Sequence, residues 1–203
     1  MKRLLFFSGT CVLLFACHPS GNKKEVVDLK DSSASEKVFT NSLDYPLKSG
    51  FAGIVYVPDM MAVTYLDSAV LADMPKKIKE NYDLVYNEAE EIKAELNGPP
   101  GEILYADNPA YIKFECFVLI NHKPEKQPAK AKVRILEGQK MLLYNYYGAM
   151  KDLKYVYAEI SKTLNEKNLT QCGPSREFYL TDPTADQGEP VYFTRIFMPV
   201  KDR

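Results

Sequence analysis

Few residues of this chain combine type and position in a way that could do chemistry, and the first of them is an acid in apolar company. In "GPSREFYLTDP", Gly173 to Pro183, Glu177 stands inside what otherwise reads as a short apolar strand. Tyr179 follows two residues later, hence on the same strand face. A carboxylate cut off from water is costly unless a cation or hydrogen-bond donors meet it, and aromatic walls add attraction for that cation. Burial that raised its pKa toward neutrality would equally make it a general acid or base. Against both stands the ordinary case of a solvent-facing strand residue. "GPPGEILYADNP", Gly98 to Pro109, places Glu102 at the same offset from its own Gly-Pro, but Leu104 occupies the place of the tyrosine. Glu102 is accordingly read as a surface acid.

Other constellations are thin. His18 lies in a polar N-terminal stretch and His122 beside Asn121 and Lys123, so a nucleophile has no positioned imidazole base. No Cys/His cluster has metal-ligand spacing and no Gly-rich loop suits phosphate, so neither a metal nor a cofactor is expected. Tyr82 and Tyr157 fall on apolar helical stripes and read as packing residues. Glu115 and Arg195, near strand centres, read as a structural ion pair or as separate surface charges. Cys116 and Cys172 lie on different elements without a framework spacing, which leaves a disulfide and two free thiols both open.

The elements that must position these residues belong to one domain of ordinary size. The chain has 203 residues, 46% hydrophobic and 26% charged, with a net charge of −1. That is the composition of a soluble globular protein, and it lacks the concentrated basic face that a nucleic-acid partner needs. Residues 1–17, "MKRLLFFSGTCVLLFAC", show a basic start, an apolar run and a cysteine, the pattern of a secretory signal too short for a transmembrane helix. Leu14-Phe15-Ala16-Cys17 resembles a bacterial lipoprotein cleavage box, which implies lipidation of Cys17 and a membrane-anchored location in the cell envelope, periplasmic or surface-facing. Residues 18–49 are polar and aperiodic and read as a flexible tether.

From residue 50 to 203 the chain repeats itself. A shift of 80 residues lays "FAGIVYVPDMMAVTYL" on "AKVRILEGQKMLLYNY", each a strand, a turn and a second strand. A shift of 75 aligns the helices: Ile78, Tyr82, Val85, Ala89, Ile92 and Leu96 form one amphipathic stripe, and Leu153, Tyr157, Ile160 and Leu164 the other. The same shift puts Glu102 on Glu177. Asp73 and Pro75 predict a helix start, and Asn97-Gly98 and Cys172-Gly173 predict the stops. "YIKFECFVLI" then matches "VYFTRIFMPV", with the alternation of half-buried strands. Two units, about 51–120 and 131–200, each strand-strand-helix-strand-strand, predict an α+β fold. Its antiparallel sheets pack on two helices about a pseudo-twofold, with a central groove.

"YNYYGAMKDLKYVYAEISKTL", "CGPSREFYLTDP" and "YFTRIFMPV" together resemble the C-terminal half of the GyrI-like, or effector-binding, small-molecule domains. Tyr147-Gly148 begins the turn, Glu177-Phe178-Tyr179-Leu180 is the acidic strand, Asp182-Pro183 follows, and Ile196 to Val200 closes. In the first half "LYADNP", with Tyr105, resembles the family's corresponding segment. Ala149-Met150 departs from the usual Pro-Tyr, and no helix-turn-helix segment of the family's regulators is found. The resemblance implies a groove that binds organic, often cationic or aromatic ligands, with Glu177 as central acid. Tyr179, Tyr147 and Tyr105 then line it. Two other readings remain open: a hydrolase of reactive small molecules that uses Glu177 as general acid or base, and a protein-interaction module whose groove is filled.

Overall fold

The computed structural model describes residues 27–28, 49–105, 111–180 and 192–203. Cys17, Asp107, Pro109, Asp182 and Pro183 lie outside the described residues, as does most of the span read as a tether. Within that span Val27–Asp28 forms a two-residue strand, β1, parallel to the next strand.

The remaining elements follow the order expected from the repeat: β2 Gly50–Val57, β3 Met60–Ala69, α1 Met74–Glu91, β4 Gly101–Tyr105 and β5 Ile112–Leu119. Then come β6 Lys132–Leu136, β7 Gln139–Gly148, α2 Leu153–Glu166, β9 Ser175–Tyr179 and β10 Tyr192–Asp202. A short strand, β8 Leu169–Gln171, which periodicity does not predict, pairs with the end of β10. The fold is α+β, with strand path β1-β2-β7-β10-β9-β4-β5-β3-β6, antiparallel throughout after β1.

Neither strand-turn-strand stretch closes on itself as a hairpin. β2 does not pair with β3, nor β6 with β7; β2 joins β7 and β6 joins β3. Yet only residues 58–59 link β2 to β3, and only residues 137–138 link β6 to β7. Links that short reach about 10 Å, so the sheet must curl until its two ends meet. Where the links cross there is room only for glycine: a Cβ on Gly138 would stand 2.5 Å from the Val57 carbonyl oxygen and 2.6 Å from the Asp59 nitrogen. The Gly138 N–H donates to Asp59 Oδ1 at 2.6 Å, and Arg176 Nη2 from β9 donates to the Glu137 carbonyl at 2.7 Å.

Curling buries one sheet face against itself, and the helices bury the other. The inner face holds Ile103, Leu119, Leu136, Met141 and Leu143 around Phe117, Phe178 and Phe197, whose rings meet edge-on with centroids 5.2 Å apart. On the outer face α1 packs Val85 and Ala89, with Ile92 just past its end, against Val63, Val118 and Ile120, while α2 packs Val156, Ile160 and Leu164 against Leu142, Tyr144 and Ile196. The alternation read as half-buried is therefore buried on both faces from Phe114 to Leu119 and all along β9.

The helices stop earlier than predicted. α1 ends at Glu91 and α2 at Glu166, because the chain turns through Lys93 and Asn168, both at φ 54 in the left-handed region. Leu96, counted into the stripe, is 46% exposed and bridges Ile120 instead. Before its end, α1 turns the Glu88 carboxylate onto the N–H groups of Lys130 and Ala131, at 2.9 Å each. This fixes the chain between the two halves to the helix.

A buried carboxylate pair as the candidate functional site

β4 and β9 are neighbours at the centre of the path, and their register sets Glu102 directly opposite Glu177. Because side chains alternate along a strand, both acids point to the helix-covered face while Ile103 and Phe178 fill the other. β5 continues the row by placing Cys116 opposite Glu102. Each carboxylate is 1% exposed. The reading of Glu102 as a surface acid is thus overturned. The spacing along the chain is silent about which residue of a distant strand it meets.

Three tyrosines close over the pair from three elements. Tyr157 of α2 donates to Glu177 Oε1 at 2.5 Å and lies 3.0 Å from Ser175 Oγ. The Tyr179 hydroxyl lies 3.0 Å from Glu177 Oε2 and 3.2 Å from Glu102 Oε2. Tyr82 of α1 stands over them, its ring edge-on to Tyr179 with centroids 6.5 Å apart. Tyr82 and Tyr157, read as packing residues, are therefore part of the acid site. Ile78, Leu104, Phe114 and Met150 complete its apolar surroundings.

Protons can be placed by counting. Tyr179 has one hydroxyl proton for two carboxyl groups, so both contacts are hydrogen bonds only if one carboxyl group keeps a proton and donates it, and Glu102, which has no second donor, is the one suited to that. Electrostatics agrees: burial and the neighbouring Glu177 charge push Glu102 up to about 8, against a smaller opposing effect from Tyr179. Burial also raises Glu177, but there the bonds from Tyr157 and Tyr179 pull the other way. A directed chain results, from the Glu102 carboxyl to Tyr179 and on to the Glu177 carboxylate, which Tyr157 serves on its other oxygen. Of the two acids, Glu177 is the one whose charged form the surrounding donors favour. Burial pushes the hydroxyls of Tyr82, Tyr157 and Tyr179 well above their ordinary range, and likewise the Cys116 thiol, so all four stay neutral donors.

No protein cation answers that charge: among the described residues no ion pair includes Glu102 or Glu177. Two buried polar atoms in the same cluster, Glu102 Oε1 and Tyr82 Oη, have no hydrogen-bond partner. No group of three His, Cys, Asp or Glu among the described residues is arranged to hold a metal.

Of the four residues expected to line a ligand, the fold brings Glu177 and Tyr179 together. Tyr105 and Tyr147 stand on the opposite sheet face. Tyr105 donates to Glu115 Oε2 at 2.7 Å beside Arg134, which pairs with the same oxygen at 2.6 Å, and burial with that bond pushes the phenol up to about 12. Tyr147 is 40% exposed near the end of β7. Glu115 and Arg195 are both buried rather than surface charges: Glu115 pairs with the half-exposed Arg134, and Arg195 Nε donates to Asn145 Oδ1 at 3.1 Å. Cys116 and Cys172 are free thiols, the first buried and the second exposed. The signal for the missed residues lay in the 75-residue shift, which aligns Tyr82 with Tyr157 as it aligns Glu102 with Glu177.

Comparisons with known proteins agree with this architecture. The profile of the GyrI-like small molecule binding domain matches residues 54–201. The fold is shared with the C-terminal domain of EcmrR, at a TM-score of 0.67 and 14% identity over 76% of this chain and 99% of that one. A hydrolase from Listeria innocua superposes at 0.58, with 13% identity over 87% of this chain and 100% of its own. SAV2435, solved bound to tetraphenylphosphonium, superposes at 0.51, with 18% identity over 76% and 94%. A comparison with curated proteins found no match.

Proposed function

The chain belongs to the GyrI-like small-molecule-binding family, and from that premise we propose that it captures an organic cation between its two helices and the sheet, as a lipoprotein tethered to a membrane of the cell envelope. The observation that carries the reading is the Glu177 carboxylate, fully buried, ringed by phenols and unmatched by any described cation. A buried charge of this kind is stabilised by a ligand of opposite sign, and the tyrosine faces add to the attraction. The complex of SAV2435 with tetraphenylphosphonium supports a cationic ligand for this fold.

Titration of the full-length chain with tetraphenylphosphonium tests it. Glu177→Gln keeps the shape and both tyrosine contacts but removes the charge, so affinity should fall about ten-fold or more. Equal affinity in the two proteins would remove Glu177 from the reading.

The hydrolase alternative has one observation in its favour, the Glu102 carboxyl at about 8, within the working range of a general acid or base. Turnover of an activated ester or epoxide that disappears in both Glu102→Gln and Glu177→Gln would establish it. The anchor rests on Leu14 to Cys17. Cys17→Ser should move the expressed protein from the membrane fraction to the soluble one, and a variant that stays in membranes excludes lipidation at that residue.

A further inference from the structure

The two acids are unequally served. Both oxygens of Glu177 meet phenol donors, from Tyr157 on Oε1 and from Tyr179 on Oε2. Glu102 meets Tyr179 through Oε2 alone, and its Oε1 is buried without a hydrogen-bond partner. The hydroxyl of Tyr82 is also without one, and its ring belongs to the same buried cluster as Tyr179 and Cys116. Buried polar atoms are almost always paired, and one left unpaired carries its full desolvation cost, so two in a single cluster mark where a partner from outside is accommodated.

Resting on the reading of this site as a cation receptor, we infer that Glu102 Oε1 and Tyr82 Oη form a selectivity pole. It favours a ligand whose charged group carries N–H bonds, as a protonated amine or amidine does. Glu177 supplies the charge that any organic cation senses, while Glu102 and Tyr82 read hydrogen bonds. A quaternary ammonium or a phosphonium offers neither atom a proton and leaves both unpaired. An ammonium attached to an aromatic or aliphatic body satisfies them and lays its apolar part on Ile78, Leu104, Phe114 and Met150. Sites built to hydrogen-bond a substrate group reject the analogue that lacks it far more strongly than apolar pockets sort by size.

The test compares 1-naphthylmethylammonium with its N,N,N-trimethyl analogue, equal in charge and ring, by calorimetric titration of the full-length chain. The primary ammonium should bind about ten-fold more tightly or better. Tyr82→Phe, which keeps the ring, and Glu102→Met, which removes both oxygens, should each bring the ratio close to one. Glu177→Gln should weaken both ligands and leave the ratio standing. A ratio near one in the unaltered protein overturns the inference. If that protein nonetheless binds both ligands and Glu177→Gln loses both, the cation reading survives alone. If neither ligand binds, both fall. Should Glu102→Met fail to fold, Tyr82→Phe decides: an unchanged ratio there overturns the pole.

Discussion

Glu102→Gln should make the protein more stable at pH 9 by on the order of 3–5 kcal/mol while changing it little at pH 5. The folded chain holds the Glu102 proton up to about 8, whereas the unfolded chain releases it near the ordinary value of 4.5. Between those values the folded state binds more protons than the unfolded one, so its stability falls as pH rises, by about 1.4 kcal/mol per unit, and levels off above 8. Glu177 is shifted in the same direction and adds to the slope. The groups that face the pair from the packed elements are Tyr82 on α1, Tyr157 on α2, Cys116 on β5, and Ser175 and Tyr179 on β9. None of them titrates in this window, because burial pushes the phenols and the thiol upward. A glutamine keeps the hydrogen bond to Tyr179 through its amide and has no proton to lose. Urea unfolding at pH 5, 7 and 9 should therefore give curves for the two proteins that converge at acid pH and separate at alkaline pH. Parallel curves would show that Glu102 is ionised in the folded state. The same ionisation should strengthen capture of a cation as pH rises through about 8, so affinity and stability move in opposite directions.

The second large effect comes from a residue that does no chemistry. Gly101 precedes Glu102 on β4, and a Cβ there would stand 2.5 Å from the backbone carbonyl oxygen of Glu177 and collide with the Phe117 ring. Phe117 is fully buried in edge contact with Phe178, so it cannot step aside without disturbing the inner core. Gly101→Ala should cost about 3 kcal/mol, toward the upper end for overpacking, which for a chain of this size lowers Tm by about 6–12 °C. The strain falls on the pairing of β4 with β9, the seam that sets Glu102 against Glu177. A variant that still folds should show a weaker form of the alkaline sensitivity described above, because a displaced seam admits water to Glu102 and burial is the main cause of its shift. Thermal melts across pH read both effects. An unchanged Tm would mean that the seam has slack, and that the site does not depend on so close an approach.

The element order was legible because two helical stripes and their flanking strands recur at fixed offsets, and such periodicity is a local property of the chain. Helix ends were less legible. Leu96 continues the apolar steps past Ile92, so the pattern alone extends α1 through a turn that the backbone makes at Lys93. Glu177 and Tyr179 could be picked out together because they share one strand and one face. Tyr105 and Tyr147 are also on strands, but their parity relative to the acids depends on pairing with distant segments, and it turns them to the other face.

Composition, periodicity and the Gly-Pro landmarks determined that this is an α+β domain, with two sequence stretches that carry their acids at the same offset. Those are statements about neighbours in sequence, where propensity and alternation act directly. Only the tertiary structure decided that the two acids are one site. Their meeting needs the exchange of β2 and β6 between the halves, the curl of the sheet and the register of β4 on β9. Each of these comes from packing between residues far apart in the chain. The same packing raises both glutamates above their ordinary range, because the cost of burying a charge exists only once the walls around it are in place.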